Sequence, residues 1–130
     1  MAPVVHPHSL QTLMATVLLV EDNVDVREMM ATALELDGHC VRTAANGWEA
    51  LRLLENGVRP CVILLDLMMP VMDGWAFRAE LENTPAFAAI PVIVVSAVGG
   101  AVLNRVRAAA YVSKPVDIDR LLEIVCEKCS

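Results

Sequence analysis

Short apolar runs alternate along this chain with segments that repeat apolar residues at every third or fourth position. The central run, from Val62 to Leu65, is a block of branched aliphatic residues that leads directly into Asp66. Such runs are typical of strands buried on both faces, and the intervening segments have the period of amphipathic helices. Strict alternation of strand and helix predicts a parallel sheet with right-handed crossovers. We therefore expect a single doubly wound α/β domain of five strand–helix units, (βα)5.

Turn and capping residues place the boundaries of these elements. Strands are predicted at 17–20, 39–44, 61–65, 91–95 and 110–113. Asn23 and Asp117 are predicted to cap the first and last helices, and a turn at Asn46 and Gly47 is predicted to lead into the second. The third helix is predicted at 74–81 and a short fourth helix at 101–109. Residues 1–15 are interpreted as a flexible N-terminal leader, and residues 16–130 as the folded domain.

Composition excludes several classes of protein. The chain has 130 residues, of which 56% are hydrophobic and only 4% aromatic, so one aliphatic core is expected. The net charge of −6 disfavours direct binding to nucleic acid and sustained attraction to anionic lipid. No apolar run reaches the roughly 18 residues of a membrane span, and the N-terminus does not have the pattern of a signal peptide. A cytoplasmic location without membrane insertion is expected.

The four cysteines are interpreted as reduced thiols, because no export signal is evident. Cys40 and Cys61 lie in apolar strand-like segments and are predicted to be small core residues. Cys126 and Cys129 form a C-x-x-C at the end of a helical pattern. They lack the second ligand pair of a zinc site and do not open a helix as a thioredoxin-type motif does. The alternative that this pair forms a redox-active or intermolecular disulfide in vitro is left open.

Five polar residues end the predicted buried strands: Glu21, Asp22, Asp66, Ser96 and Lys114. The carboxyl ends of parallel strands share one edge of the sheet, where such folds bind ligands. Clustered carboxylates repel one another, so a cation is expected among them, and hard oxygen ligands suit Mg²⁺. Lys114 adds a fixed positive charge and Ser96 a hydroxyl donor. This combination predicts a phosphoryl site with Asp66 as the nucleophile.

Four motifs in this order resemble the receiver domain of two-component response regulators. They are the segments 17–23, 65–74, 94–97 and 113–115, and the resemblance covers about residues 16 to 128. It implies the flavodoxin- and CheY-like strand order 2-1-3-4-5. It also implies a phosphoprotein of two-component or phosphorelay signalling rather than an enzyme, with a histidine kinase or histidine phosphotransfer protein as phosphodonor. The downstream protein partner is unknown, and a phosphorylation-dependent dimer is one expected outcome.

The resemblance assigns a role to each residue of the site. Asp66 is the expected phosphoacceptor, and Glu21, Asp22, Asp66 and the backbone carbonyl of Met68 are the expected Mg²⁺ ligands. Ser96 and Lys114 are expected to contact the phosphoryl group. Tyr111 matches the switch aromatic that turns inward as Ser96 moves, and the bond between Lys114 and Pro115 is expected to be cis.

The chain departs from the family pattern in two places. Only 18 positions (114 − 96) separate Ser96 from Lys114, about one helical turn fewer than usual, so the fourth helix should be shortened. Met68 and Val98 are apolar where an attacking water would approach, which predicts a long-lived aspartyl phosphate.

The same residues allow two alternative functions besides that of a receiver domain. A phosphatase with an aspartate nucleophile needs a second acid two residues later, where Met68 stands. A receiver fold that serves as a phosphorylation-independent interaction domain is the second alternative.

Overall fold

The computed structural model describes residues 16–97 and 106–129. Its five strands form one parallel sheet in the order β2-β1-β3-β4-β5. The strands are β1 (Thr16–Val20), β2 (Cys40–Ala44), β3 (Val62–Leu65), β4 (Val92–Ser96) and β5 (Ala110–Ser113). The predicted fold class and strand order are confirmed.

Strand register brings the carboxyl ends of the strands to one edge. Val20 at the end of β1 lies opposite Ala44 of β2 and Leu65 of β3. On the other side of the sheet, Ser96 at the end of β4 lies opposite Ser113 of β5. The residues that follow these positions therefore meet at a common edge, which we call the site edge.

Four helices are described, and the three that follow β1, β2 and β3 start at side-chain caps. They are α1 (Val24–Leu36), α2 (Gly47–Glu55), α3 (Gly74–Glu82) and α4 (Ile118–Cys129). Asn23, Asn46 and Asp73 each accept a hydrogen bond from the backbone amide three residues on, at 3.0, 2.9 and 2.9 Å. These contacts satisfy amides that the first helical turn leaves unpaired. Within the described ranges, no helix is long and apolar enough to cross a membrane.

The sheet is packed on both faces. Alternate residues of β3 point to opposite sides, so Ile63 and Leu65 join one apolar cluster while Val62 and Leu64 join the other. All four are fully buried. Burial on both faces explains why the sequence of the central strand is an unbroken apolar run. The end of this run fixes the position of Asp66, which follows it directly.

The cysteine predictions were wrong for three of the four residues. Cys40 is exposed, because it begins β2, which is an edge strand. Cys61 is half-buried, and it forms a disulfide with Cys129. The two residues meet because β3 starts, and α4 ends, at the edge of the sheet opposite the site edge.

The prediction of a fourth helix at 101–109 is also wrong for residues 106–109, which are the part of it that the structure describes. Residues 106–109 are irregular, because the Ala109 amide donates a hydrogen bond to the Val92 carbonyl at 2.8 Å and so leads the chain into β5. In a helix that amide would bond to a carbonyl four residues earlier. The rest of the predicted helix, Val98 and the predicted leader at 1–15 lie outside the described residues.

Candidate functional site

Three carboxylates meet at the site edge. Glu21 and Asp22 directly follow β1, Asp66 directly follows β3, and one oxygen from each lies within 4.8 Å of the others. Glu21 and Asp66 are only 2% and 5% exposed, whereas Asp22 is exposed. Burying two carboxylates this close together is costly without a cation.

Lys114 supplies one positive charge to this cluster. Its Nζ lies 2.5 Å from Glu21 Oε1 and 3.4 Å from Asp66 Oδ2. Burial on its own would lower the pKa of Lys114, but the hydrogen bond to Glu21 and the charge of Asp66 outweigh it and raise that pKa above its ordinary value. Its backbone amide donates to the Ser96 carbonyl at 3.0 Å. The bond to Pro115 is cis, as the resemblance implied.

Backbone contacts fix Asp66 in place. Its amide donates to the Val20 carbonyl at 3.0 Å, and its Oδ1 accepts a bond of 3.3 Å from the Met68 amide. Gly74 packs directly beneath, where its amide donates to the Leu67 carbonyl at 2.9 Å. A Cβ atom at Gly74 would lie 2.6 Å from Leu67 Cα and 2.7 Å from the Asp66 carbonyl oxygen. Only glycine fits at this position without displacing the backbone of the site.

The loop that follows Asp66 contains a strained residue. Val71 has a φ of 68° and is 84% exposed. Conformations of this kind cost about 1–3 kcal/mol and persist only when the surroundings impose them. Here the Met72 amide donates to the Pro70 carbonyl at 2.8 Å, and the Met72 carbonyl accepts from the Gly47 amide at 2.9 Å. The start of α2 therefore helps to hold the loop that carries Met68.

The Met68 side chain is largely exposed to solvent. It is 59% exposed and borders an open cleft of about 330 Å³ beside Asp22. Trp75 lines the same cleft and is half-buried. Asp22, one of the three carboxylates, can be reached from solvent on this side.

Ser96 and Tyr111 lie on the neighbouring strands β4 and β5, where Ser96 is opposite Ser113 and Tyr111 is opposite Val94. Ser96 is buried at the end of β4. Tyr111, on β5, is 38% exposed, and its hydroxyl donates a hydrogen bond to the Val106 carbonyl. The aromatic ring is thus held partly in solvent.

Arg27 contributes to the site and was not identified from the sequence. Its Nη1 donates to the Glu21 carbonyl at 2.9 Å and to the Asp22 carbonyl at 3.4 Å, which fixes the loop between β1 and α1. Its position in the sequence could have indicated this role. A cation in the first turn of a helix interacts unfavourably with the helix dipole, so a compensating contact between Arg27 and an acceptor outside the helix was to be expected.

The donor set fits a divalent cation. Three carboxylates carry three negative charges against the single charge of Lys114, and their oxygens are the hard ligands that Mg²⁺ prefers. Exposure of Asp22 leaves space for the water molecules that Mg²⁺ retains.

Comparison with known proteins identifies the family. Residues 17–126 match the family model described as the response regulator receiver domain. The chain is similar to protein PilH of Pseudomonas aeruginosa, with 33% identity over 119 residues that cover 86% of this chain and 95% of PilH. It is also similar to the structure of the chemotaxis response regulator CheY4 of Vibrio cholerae, with 29% identity, a TM-score of 0.78 and coverage of 88% and 98%. This chain belongs to the response regulator receiver domain family.

Other relatives are much longer than this chain. It is 36% identical over 104 residues to the probable transcriptional regulator ycf27 of Guillardia theta, which covers 76% of this chain but 39% of ycf27. The chain spans between 25% and 39% of the length of three such regulators. These comparisons show that this chain is a receiver domain of two-component signalling. Domains of this family bind Mg²⁺, are generally not enzymes, and interact with phosphodonor proteins and effectors.

Proposed function

We propose that Asp66 accepts a phosphoryl group from a histidine kinase or a histidine phosphotransfer protein. The observation that carries this proposal is the surroundings of Asp66. It is a buried carboxylate at the site edge, 3.4 Å from the Lys114 ammonium and grouped with two further carboxylates. A nucleophile, a fixed cation and a set of metal ligands are what phosphoryl transfer to a carboxylate requires.

In the proposed reaction, an Asp66 carboxylate oxygen attacks the phosphorus atom of the donor's phosphohistidine. The bond between phosphorus and the imidazole nitrogen breaks, and the nitrogen keeps the electron pair. Lys114 offsets the charge on the transferring oxygens. Glu21, Asp22, Asp66 and the Met68 carbonyl would hold Mg²⁺, which when bound supplies further positive charge beside the phosphoryl group.

The proposed switch connects Ser96 to Tyr111. Ser96 would donate its hydroxyl to a phosphoryl oxygen on Asp66, and Tyr111 would give up the Val106 carbonyl and turn inward. Because Tyr111 is now 38% exposed, this change would alter the surface around β5. A downstream protein, or a second phosphorylated copy of this chain, would bind that altered surface.

The proposal also includes slow loss of the phosphate. Hydrolysis needs a water molecule aligned with the phosphorus atom, and the exposed Met68 side chain has no group that can orient one. The aspartyl phosphate should therefore outlast one flanked by a polar side chain at this position.

One experiment separates the receiver from its two alternatives. The protein is incubated with Mg²⁺ and acetyl phosphate, and its intact mass is followed with time. We expect one added phosphate that disappears in Asp66→Asn and when Mg²⁺ is chelated, but persists in Asp119→Asn, a matched change of an exposed acid on α4. Steady release of inorganic phosphate without an accumulated adduct would favour the phosphatase. Absence of any uptake would favour the phosphorylation-independent interaction domain.

A further inference from the structure

A disulfide joins β3 to α4 at the edge of the sheet opposite the site edge. Cys61 directly precedes β3 and Cys129 ends α4, and the two are separated by 68 positions in the sequence. Their Cα atoms are 5.2 Å apart, within the range that a disulfide spans without movement of the backbone. The fold itself therefore places these two sulfur atoms together.

At the site edge, an ion pair links the residue that follows β3 to the segment that precedes α4. Asp66 follows β3, Lys114 precedes α4 by a few residues, and their side chains approach to 3.4 Å. The strand that precedes Asp66 is thus linked at one end to the segment that leads into α4, and at the other end to the last residue of α4. One link is an ion pair at Asp66, and the other is the covalent bond between Cys61 and Cys129.

Apolar packing also holds α4 against the sheet. Leu121 and Val125 are fully buried against the sheet, so α4 has an apolar anchor of its own. The Thr16 carbonyl oxygen lies 3.4 Å from Cys61 Sγ and can accept a hydrogen bond from that residue when it is a thiol. Both cysteines are only half-buried, so a small thiol or disulfide reagent can reach them.

We propose that Cys61 and Cys129 form a reversible redox modification site whose oxidant is a low-molecular-weight disulfide of the glutathione type. One protein thiolate attacks the small disulfide, forms a mixed disulfide and releases one small thiolate. The second protein thiolate then attacks the sulfur of the first cysteine, closes the Cys61–Cys129 bond and releases the other small thiolate. The two protein thiols lose two electrons and two protons in total, and the small disulfide is reduced to two thiols.

Closing the bond fastens the last turn of α4 to the base of β3, and opening it leaves that turn held by apolar packing alone. Redox state would thus set the rigidity of α4 independently of Asp66. The proposal goes beyond the phosphoacceptor function, and neither test below involves phosphorylation, so the two can fail separately.

The first test uses a variant in which Cys40 and Cys126 are replaced by serine, so that only the proposed pair remains. The fully reduced variant is incubated with oxidised glutathione, quenched with acid and analysed by intact mass and peptide mapping. We expect the loss of two hydrogen atoms, a Cys61–Cys129 cross-linked peptide and no retained glutathione, all reversed by dithiothreitol. Adding Cys61→Ser should leave one stable glutathione adduct on Cys129. A stable adduct in the two-cysteine variant, a covalent dimer or no reaction would overturn the proposal.

The second test measures hydrogen exchange in the same variant, oxidised and reduced. Amides in the last turn of α4, residues 125–129, should exchange about tenfold more slowly when the bond is closed, because local opening of that turn is restricted. Amides of α3, which packs on the opposite face of the sheet from α4, provide the internal control and should change little. Equal exchange of the last turn in the two redox states would show that the bond does not fasten the helix.

Discussion

Replacing Gly74 with alanine tests whether close packing beneath Asp66 maintains the site. The new Cβ would lie 2.6 Å from Leu67 Cα and 2.7 Å from the Asp66 carbonyl oxygen. Carbon atoms pack at about 3.5–4.0 Å, so the backbone must move by about 1 Å. Overpacking of this kind costs about 1–3 kcal/mol, and the better helix propensity of alanine returns at most about 1 kcal/mol. We expect the free energy of unfolding to fall by about 2 kcal/mol and phosphoryl uptake by Asp66 to slow.

Urea unfolding and the rate of phosphate uptake from acetyl phosphate, followed by mass, measure the two effects. Gly57→Ala is the matched control, because a Cβ there has nothing within 4 Å but must adopt a φ of 103°. That change should cost about 1–2 kcal/mol through the backbone alone and leave the uptake rate unaltered. A Gly74→Ala protein with stability within about 0.5 kcal/mol of the parent and a normal uptake rate would refute the packing argument.

Three further changes test separate parts of the structure. Phe77→Ala removes a fully buried ring and should lower the free energy of unfolding by about 3–5 kcal/mol; an unchanged urea midpoint would contradict the described core. Tyr111→Phe removes the hydrogen bond to the Val106 carbonyl and should cost about 1 kcal/mol or less in the same assay, with phosphate uptake retained. Met68→Asn supplies a polar group beside the proposed phosphoryl site and should speed the loss of phosphate followed by mass, and an identical or slower decay would count against the proposed role of Met68.

The sheet and the site edge were predictable because burial on both faces leaves an unbroken apolar run that ends at the first polar residue. In β3, the apolar run alone predicts that Asp66 lies at the site edge, and no other part of the chain is needed for that prediction. The sequence cannot show how far apart the side chains from different strands lie. Lys114 was expected near Asp66, for example, but its closest carboxylate oxygen belongs to Glu21.

Features that depend on distant parts of the chain were missed or mispredicted. The bond between Cys61 and Cys129 leaves no local signal, because it exists only when the start of β3 and the end of α4 reach the same edge. The topology could have indicated this bond, because a helix that follows a parallel strand runs back toward the edge of the sheet where the strands begin. The φ of 68° at Val71 also opposes local preference, because β-branched residues avoid this region, and only contacts with α2 and the adjoining loop maintain it.

The position of β1 between two later strands has a consequence for synthesis. Residues 17–20 are fully buried in the folded protein, yet they are made well before their partner strand β3, which ends 45 residues later (65 − 20). At about 5–20 residues per second, a ribosome needs about 2–9 s to supply that partner. During this interval at least one edge of this apolar strand is unpaired on the nascent chain, because β2, which is made before β3, covers only the other edge. We expect chaperones to associate with the chain until β3 has emerged, and to release it once β1 is enclosed between its neighbours.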